Sequence, residues 1–127
     1  MSPIRISRIE SASRIVLAFN ESFNRHDIDG MMKLVSDKCV MEHYEPAPDG
    51  ALYSGKKAIT AFWKEFFRKS PEAHTDIEEI LGFSMRCMMR WKCTWTNSEG
   101  KKHQLRGVSI FKVYNDIILE ILSYAKR

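Results

Sequence analysis

The chain has 127 residues, 44% of them hydrophobic and 28% charged, which fits a folded globular chain with room for one domain, residues 1–127. Its net charge of +4 comes from 20 Lys and Arg against 16 Asp and Glu, scattered in short pairs beside acids, so no nucleic-acid surface is expected. No apolar run approaches the ~20 residues of a membrane-spanning helix, and residues 1–8 lack a secretory leader's apolar segment, so a cytoplasmic setting without membrane contact is expected.

In chain order, Ser7 and Glu10 have capping-box spacing. A helix then runs to about Arg25, with Ala12, Ile15, Val16, Phe19 and Phe23 in one apolar stripe. Asp27 is placed to cap a short second helix holding Ile28, Met31, Met32 and Val35, before a turn at Ser36-Asp37-Lys38. Residues 39–44 alternate, with Cys39, Met41 and His43 on one face and Val40, Glu42 and Tyr44 on the other, which predicts a first strand. Glu45-Pro-Ala-Pro-Asp-Gly50 is a loop and a candidate rim or lid. Residues 55–69 give the strongest helix, with a stripe of Ile59, Phe62, Trp63, Phe66 and Phe67, ended by Ser70-Pro71.

From His74 the period becomes two. A strand over residues 74–81 turns near Gly82-Phe83-Ser84 into Arg86–Thr96, read as the central strand, with Cys87, Met89, Trp91, Cys93 and Trp95 inward. Asn97-Ser-Glu-Gly100 is the next turn. Residues 103–114 place Leu105, Gly107, Ser109, Phe111 and Val113 on the inner face. Asn115-Asp116 makes a two-residue hairpin. Residues 117–125 close the sheet, with Leu119, Ile121 and Ser123 inward and Ile118, Glu120, Leu122 and Tyr124 outward. Two helices, a strand, a helix and a four-strand meander define an α+β chain with helices on one face of the sheet.

Cys39, Cys87 and Cys93 are odd in number and sit in apolar strand patterns, which reads as reduced core thiols. No Cys-x-x-Cys or spaced Cys/His cluster is present, so neither metal nor cofactor is expected. His26-Asp27 lacks the partners of a metal-dependent phosphohydrolase, and helix capping by Asp27 explains it.

Three stretches carry a resemblance. Phe23-Asn-Arg-His-Asp-Ile-Asp-Gly-Met-Met-Lys-Leu-Val resembles the helix–turn–helix opening of nuclear-transport-factor-two-like proteins. Leu52-Tyr-Ser-Gly-Lys-Lys-Ala-Ile resembles the family's Gly-x-x-x-Ile helix start, and Arg106-Gly-Val-Ser-Ile-Phe-Lys-Val is similar to the penultimate strand of the SnoaL-like polyketide cyclase branch. The resemblance implies a cone: a strongly bent antiparallel sheet, cystatin-like, wrapped around the N-terminal helices, with a pocket at its wide end. It also implies homodimers through the outer sheet face, where Val108, Ile110, Ile118, Leu122 and Tyr124 form an apolar patch by alternation.

The ketosteroid isomerases of this superfamily use a carboxylate base with a tyrosine and a protonated aspartate as oxyanion donors. By the shared motifs those positions fall on His43, Phe19 and Ser109, and none matches, so that mechanism is not expected. Related cyclases and limonene epoxide hydrolases use acidic residues in the cone, whereas Glu42, Glu120 and Arg106 read as outward here. The expected lining is Phe19, Phe23, Met41, Trp63, Phe66, Met89, Trp91, Trp95, Phe111 and Ile121, with His43, Ser109 and Ser123 as polar points. It suits a small apolar molecule with one or two polar groups. The alternatives are an isomerase or cyclase acting on an apolar carbonyl compound with His43 as general base, and a protein-interaction domain without a ligand.

Overall fold

In the computed structural model the backbone is described for residues 7–126 and side chains for residues 12–126, so the Ser7–Glu10 capping box lies outside the described side chains. Helix α1 (Ser7–Asn24) buries Ala12, Val16, Phe19 and Phe23, the stripe that its helical spacing demands. Helix α2 (Ile28–Met32) is capped by Asp27, whose carboxylate accepts from Gly30 N at 3.0 Å. Val35 is not on this helix. It opens strand β1 (Val35–His43), buried and paired with Ile118, and the expected turn at residues 36–38 is a register irregularity inside that strand.

After the proline loop comes β2 (Ala51–Ser54), antiparallel to β1 with Tyr53 opposite Met41. Sequence reading leaves this strand out, since four residues are too few to reveal a period and only the pairing defines them. Helix α3 (Lys56–Lys69) starts after Gly55, whose φ of +91° suits glycine and whose N–H donates to Cys39 O at 2.8 Å, fastening the helix to β1. It buries Ile59 and Trp63 and places Arg68 and Lys69 in the last turn, where cations favour the helix dipole.

Strands β3 (His74–Phe83), β4 (Arg86–Thr96), β5 (Lys102–Tyr114) and β6 (Ile117–Lys126) form the meander expected from the sequence. Asn115 and Asp116 both take positive φ, as a tight two-residue hairpin requires. The sheet order is β2-β1-β6-β5-β4-β3, with β1 parallel to β6 and the other neighbours antiparallel. Arg86–Thr96 is therefore not central. It lies one strand from the edge, because β1 returns beside β6 and moves the centre to β5 and β6.

A bulge corrects one face of β6. Lys112 pairs with Glu120, but Val113 pairs with Ile118, so Leu119 is an extra residue and the alternation resets. Ile118, expected outside, is 0% exposed in the core, while Leu119, expected inside, is only half-buried. A second shift lies between Ile77 and Glu79 in β3. Such bulges bend strands, and the sheet curls about helices held on one face, α1 against β3, β4 and β5 and α3 against β1 and β2. Among the described residues no helix is long and apolar enough to cross a membrane.

Candidate functional site

Between α1, α3 and the sheet lies a cavity of about 60 Å³. Its sheet wall follows from the register: Met89, Ser109 and Ser123 stand in one row across β4, β5 and β6, and Phe111 and Ile121 stand in the next. Cys93 stands opposite Thr75 on β3. Across from the sheet, Phe23 meets Trp63 edge-on at 5.6 Å and Phe19 meets Phe111 at 5.9 Å. None of the residues lining this cavity is Asp, Glu, Lys or Arg.

Its polar groups form a small donor array. Gly107 lies opposite Trp91, and the indole occupies the space where a side chain at Gly107 would stand. Trp91 Nε1 donates to Ser109 Oγ at 2.9 Å, and the Ser109 and Ser123 hydroxyls meet at 2.7 Å. Ser109 accepts from Trp91, so whichever hydroxyl donates to the other, one hydroxyl hydrogen of the pair is left over. Trp63 Nε1 is buried and has no acceptor among the described residues. Asn20 Nδ2 donates to Thr75 O at 3.1 Å, beside the paired bonds that Asn24 makes to the same backbone.

His43 is 5% exposed and its ring packs against Tyr44, Phe62, Trp63 and Phe66. Burial pushes its pKa down to about 4, so the imidazole is neutral at pH 7. Its Nδ1 accepts from Glu45 N at 3.2 Å, which puts the ring proton on Nε2 and makes that atom a donor. A basic nitrogen ready to take a proton is not presented in this arrangement. Burial also raises the Cys93 thiol, against the Thr75 hydroxyl and the His74 backbone, so it stays a thiol rather than a nucleophilic thiolate.

The cavity gathers Phe19 and Phe23 from α1, His43 from β1, Trp63 and Phe66 from α3, Met89 and Trp91 from β4, Ser109 and Phe111 from β5, and Ile121 and Ser123 from β6. Two expected lining residues lie elsewhere. Met41 is on the predicted face but sits in the core at 1% exposure, since alternation gives the face and not the depth. Trp95 lies further along β4 and borders a separate hollow of about 480 Å³. Asn20, Tyr44, Thr75 and Cys93 also line the cavity outside the expected lining, and of these Cys93 alone stands on an expected inward face, where it reads as a core thiol. Asn20 had a signal, a polar residue inside the Val16–Phe23 stripe. Tyr44 had none, because alternation puts it outside and only the end of β1 at His43 lets it turn toward Trp91, 6.0 Å away. Glu120 pairs with Arg86 at 2.9 Å and Arg106 with Glu78 at 3.1 Å. His26 stacks on Phe67 and bonds Ala73 O at 2.8 Å, and among the described residues no His/Cys/Asp/Glu group is placed to hold a metal ion.

An α+β chain with a bent sheet closed over helices and a mostly apolar inner cavity is of the nuclear-transport-factor-two-like class. The SnoaL-like domain model matches residues 16–121, and the chain belongs to that family. An NTF2-like protein of unknown function from Mesorhizobium loti is 31% identical over 94% of each chain, with a TM-score of 0.79. A second, from Burkholderia pseudomallei, is 17% identical over 91% of each chain at a TM-score of 0.81. An LEH-like epoxide hydrolase from M. tuberculosis is 15% identical over 93% of this chain and 84% of its own, at a TM-score of 0.80. The last two likenesses are of fold alone. None of the curated proteins matches this chain.

Proposed function

We propose that this chain is a small-molecule-binding domain whose inner cavity takes the hydrogen-bond-accepting end, such as a carbonyl oxygen, of an otherwise apolar molecule. The observation that carries this is Trp63 Nε1, a donor on a cavity-lining ring that no described residue satisfies. A buried unpaired N–H costs about 1–3 kcal/mol, which an acceptor on a ligand would recover. The left-over serine hydrogen and His43 Nε2–H also favour an acceptor. Catalysis by His43 as general base is the weaker reading, because its pKa near 4 makes it a poor base and its proton sits on Nε2. A protein-interaction domain without a ligand draws support from the small volume of the inner cavity, about 60 Å³.

Trp63→Phe separates these readings. The smaller ring loses packing but no longer buries an unpaired donor, so stability should stay within about 1 kcal/mol of wild type. Affinity for acetone, a ketone of about the cavity's size, measured by NMR titration, should fall about tenfold. Equal affinity in both proteins would remove Trp63 from the site.

A homodimer through the outer sheet face is part of the proposal. The register aligns Leu81, Met88, Ile110 and Leu122 in one apolar row across four strands, beside Val108 and Tyr124. Ion pairs flank the row, Arg86 with Glu120 on one side and Arg90 with Glu78 and Glu79 on the other. Leu122→Glu should turn dimers into monomers in sedimentation velocity, and a persistent dimer would refute this face. The free, buried thiols of Cys39, Cys87 and Cys93 support a reducing, cytoplasmic setting.

A further inference from the structure

We propose that the outer face of the sheet carries a second small-molecule site, a hollow at the Lys126 end of β6 that takes a phosphate monoester borne on a flat ring, the chemistry of a nucleoside monophosphate. It lies on the other face of the sheet from the inner cavity and does not rest on the reading of that cavity. Its volume is about 430 Å³, inside the roughly 300–1,000 Å³ of ordinary small-molecule sites. The register builds it. Gly107 and Ala125 pair across β5 and β6, and their backbone is the floor between two cross-strand rows. One row is Arg90, Val108 and Tyr124, and the other is Lys92, Arg106 and Lys126.

Charge assigns one half of the ligand. Three cations side by side on neighbouring strands repel one another. At the β3 end of their row stands Asp76, but its carboxylate is bonded to His74 at 3.1 Å. The β3 bulge supplies the nearest counter-charge. It puts Glu78 and Glu79 together on Arg90, at 3.3 and 3.2 Å, and leaves Glu78 its other oxygen for Arg106 at 3.1 Å. Both guanidiniums are thereby held in place, Arg106 keeps donors beyond that one bond, and Lys126 has no ion pair among the described residues. The lining holds three cations, Arg90, Arg106 and Lys126, against the single carboxylate of Glu78, an excess of +2. A phosphate monoester, with a charge of roughly −1.5 to −2 and three acceptor oxygens, matches that excess, and a lone carboxylate does not. The other half of the ligand follows from the wall. The Tyr124 ring, 54% exposed, stands beside Val108, and the fixed Arg90 guanidinium offers a second surface on which a flat ring stacks.

The probes are adenosine 5′-monophosphate, adenosine and inorganic phosphate, titrated at one ionic strength into the ¹⁵N-labelled protein. The monophosphate should move the backbone amide signals of Gly107 and Ala125, leave the Trp63 indole signal still, and bind at least about tenfold more tightly than adenosine or phosphate alone. Equal affinity for phosphate would remove the ring from the site and equal affinity for adenosine would remove the charge, and either overturns the proposal. Movement of Trp63 with Gly107 and Ala125 unmoved would overturn it too. Arg106→Gln and Lys126→Gln, both at exposed positions, should each weaken the monophosphate at least about fivefold and leave adenosine unchanged, whereas Tyr124→Ser should weaken both. The hollow adjoins the apolar row that holds Leu122, so the titration is repeated on Leu122→Glu. Affinity within about threefold of wild type is expected there. Binding confined to Leu122→Glu would show the hollow closed between two copies of the chain and would overturn the site.

Discussion

Gly107→Ala is expected to cost about 3 kcal/mol of stability, an unusual penalty for one added methyl group. A Cβ at this position would stand 2.4 Å from Tyr124 O and 2.5 Å from the Trp91 ring. The first contact is backbone in the middle of the sheet and cannot yield without disturbing the β5–β6 pairing. The second would push the indole off its strand partner and break the bond from its Nε1 to Ser109, one side of the cavity's donor array. Urea unfolding measures the cost, and the Trp91 indole signal reports the displacement. A loss below about 1 kcal/mol with an unmoved indole would contradict the packing described for Gly107.

The second large effect is of pH. An unfolded chain's histidine titrates near ~6.5, and the folded His43 is held down at about 4 by burial. Between these values the unfolded chain takes up a proton and the folded one does not, so stability falls as pH falls through that window. The total is of the order of 3 kcal/mol, and the contribution is flat above pH ~6.5 and again below ~4. His43→Asn keeps an acceptor for the Glu45 N–H but does not titrate. The stability difference between wild type and this variant, from urea unfolding between pH 7 and pH 4, should shift against wild type by roughly that amount. Carboxylates common to both chains cancel. A difference constant across the window would mean that His43 takes its proton in the folded state as easily as in the unfolded.

Much of the fold was legible because its elements carry strong periods. The α1 and α3 stripes, the faces of β4 and β5 and the Asn115-Asp116 hairpin all follow from side-chain spacing and turn chemistry. What failed depends on partners distant in the chain. β2 exists through its pairing with β1, and Val35 becomes a strand residue through Ile118. Ile118 is inside through a bulge that a strict alternation cannot contain. The cavity lining shows the same division. Alternation found the face carrying His43, Met89, Trp91, Ser109 and Phe111, but not the depth that separates Met41 and Trp95 from them. His43 was recognised as the inward histidine. Its state was not, because neutrality and tautomer come from burial among aromatic rings and from the Glu45 N–H that follows it in the loop.

Native mass spectrometry of freshly purified wild type and Trp63→Phe, each compared with its denatured mass, tests the ligand-binding claim most directly. A small-molecule adduct on the wild type, lost on denaturation and absent or much reduced in Trp63→Phe, is the result expected from an acceptor held on the Trp63 indole. A bare wild-type protein, or equal loading of both, would contradict it.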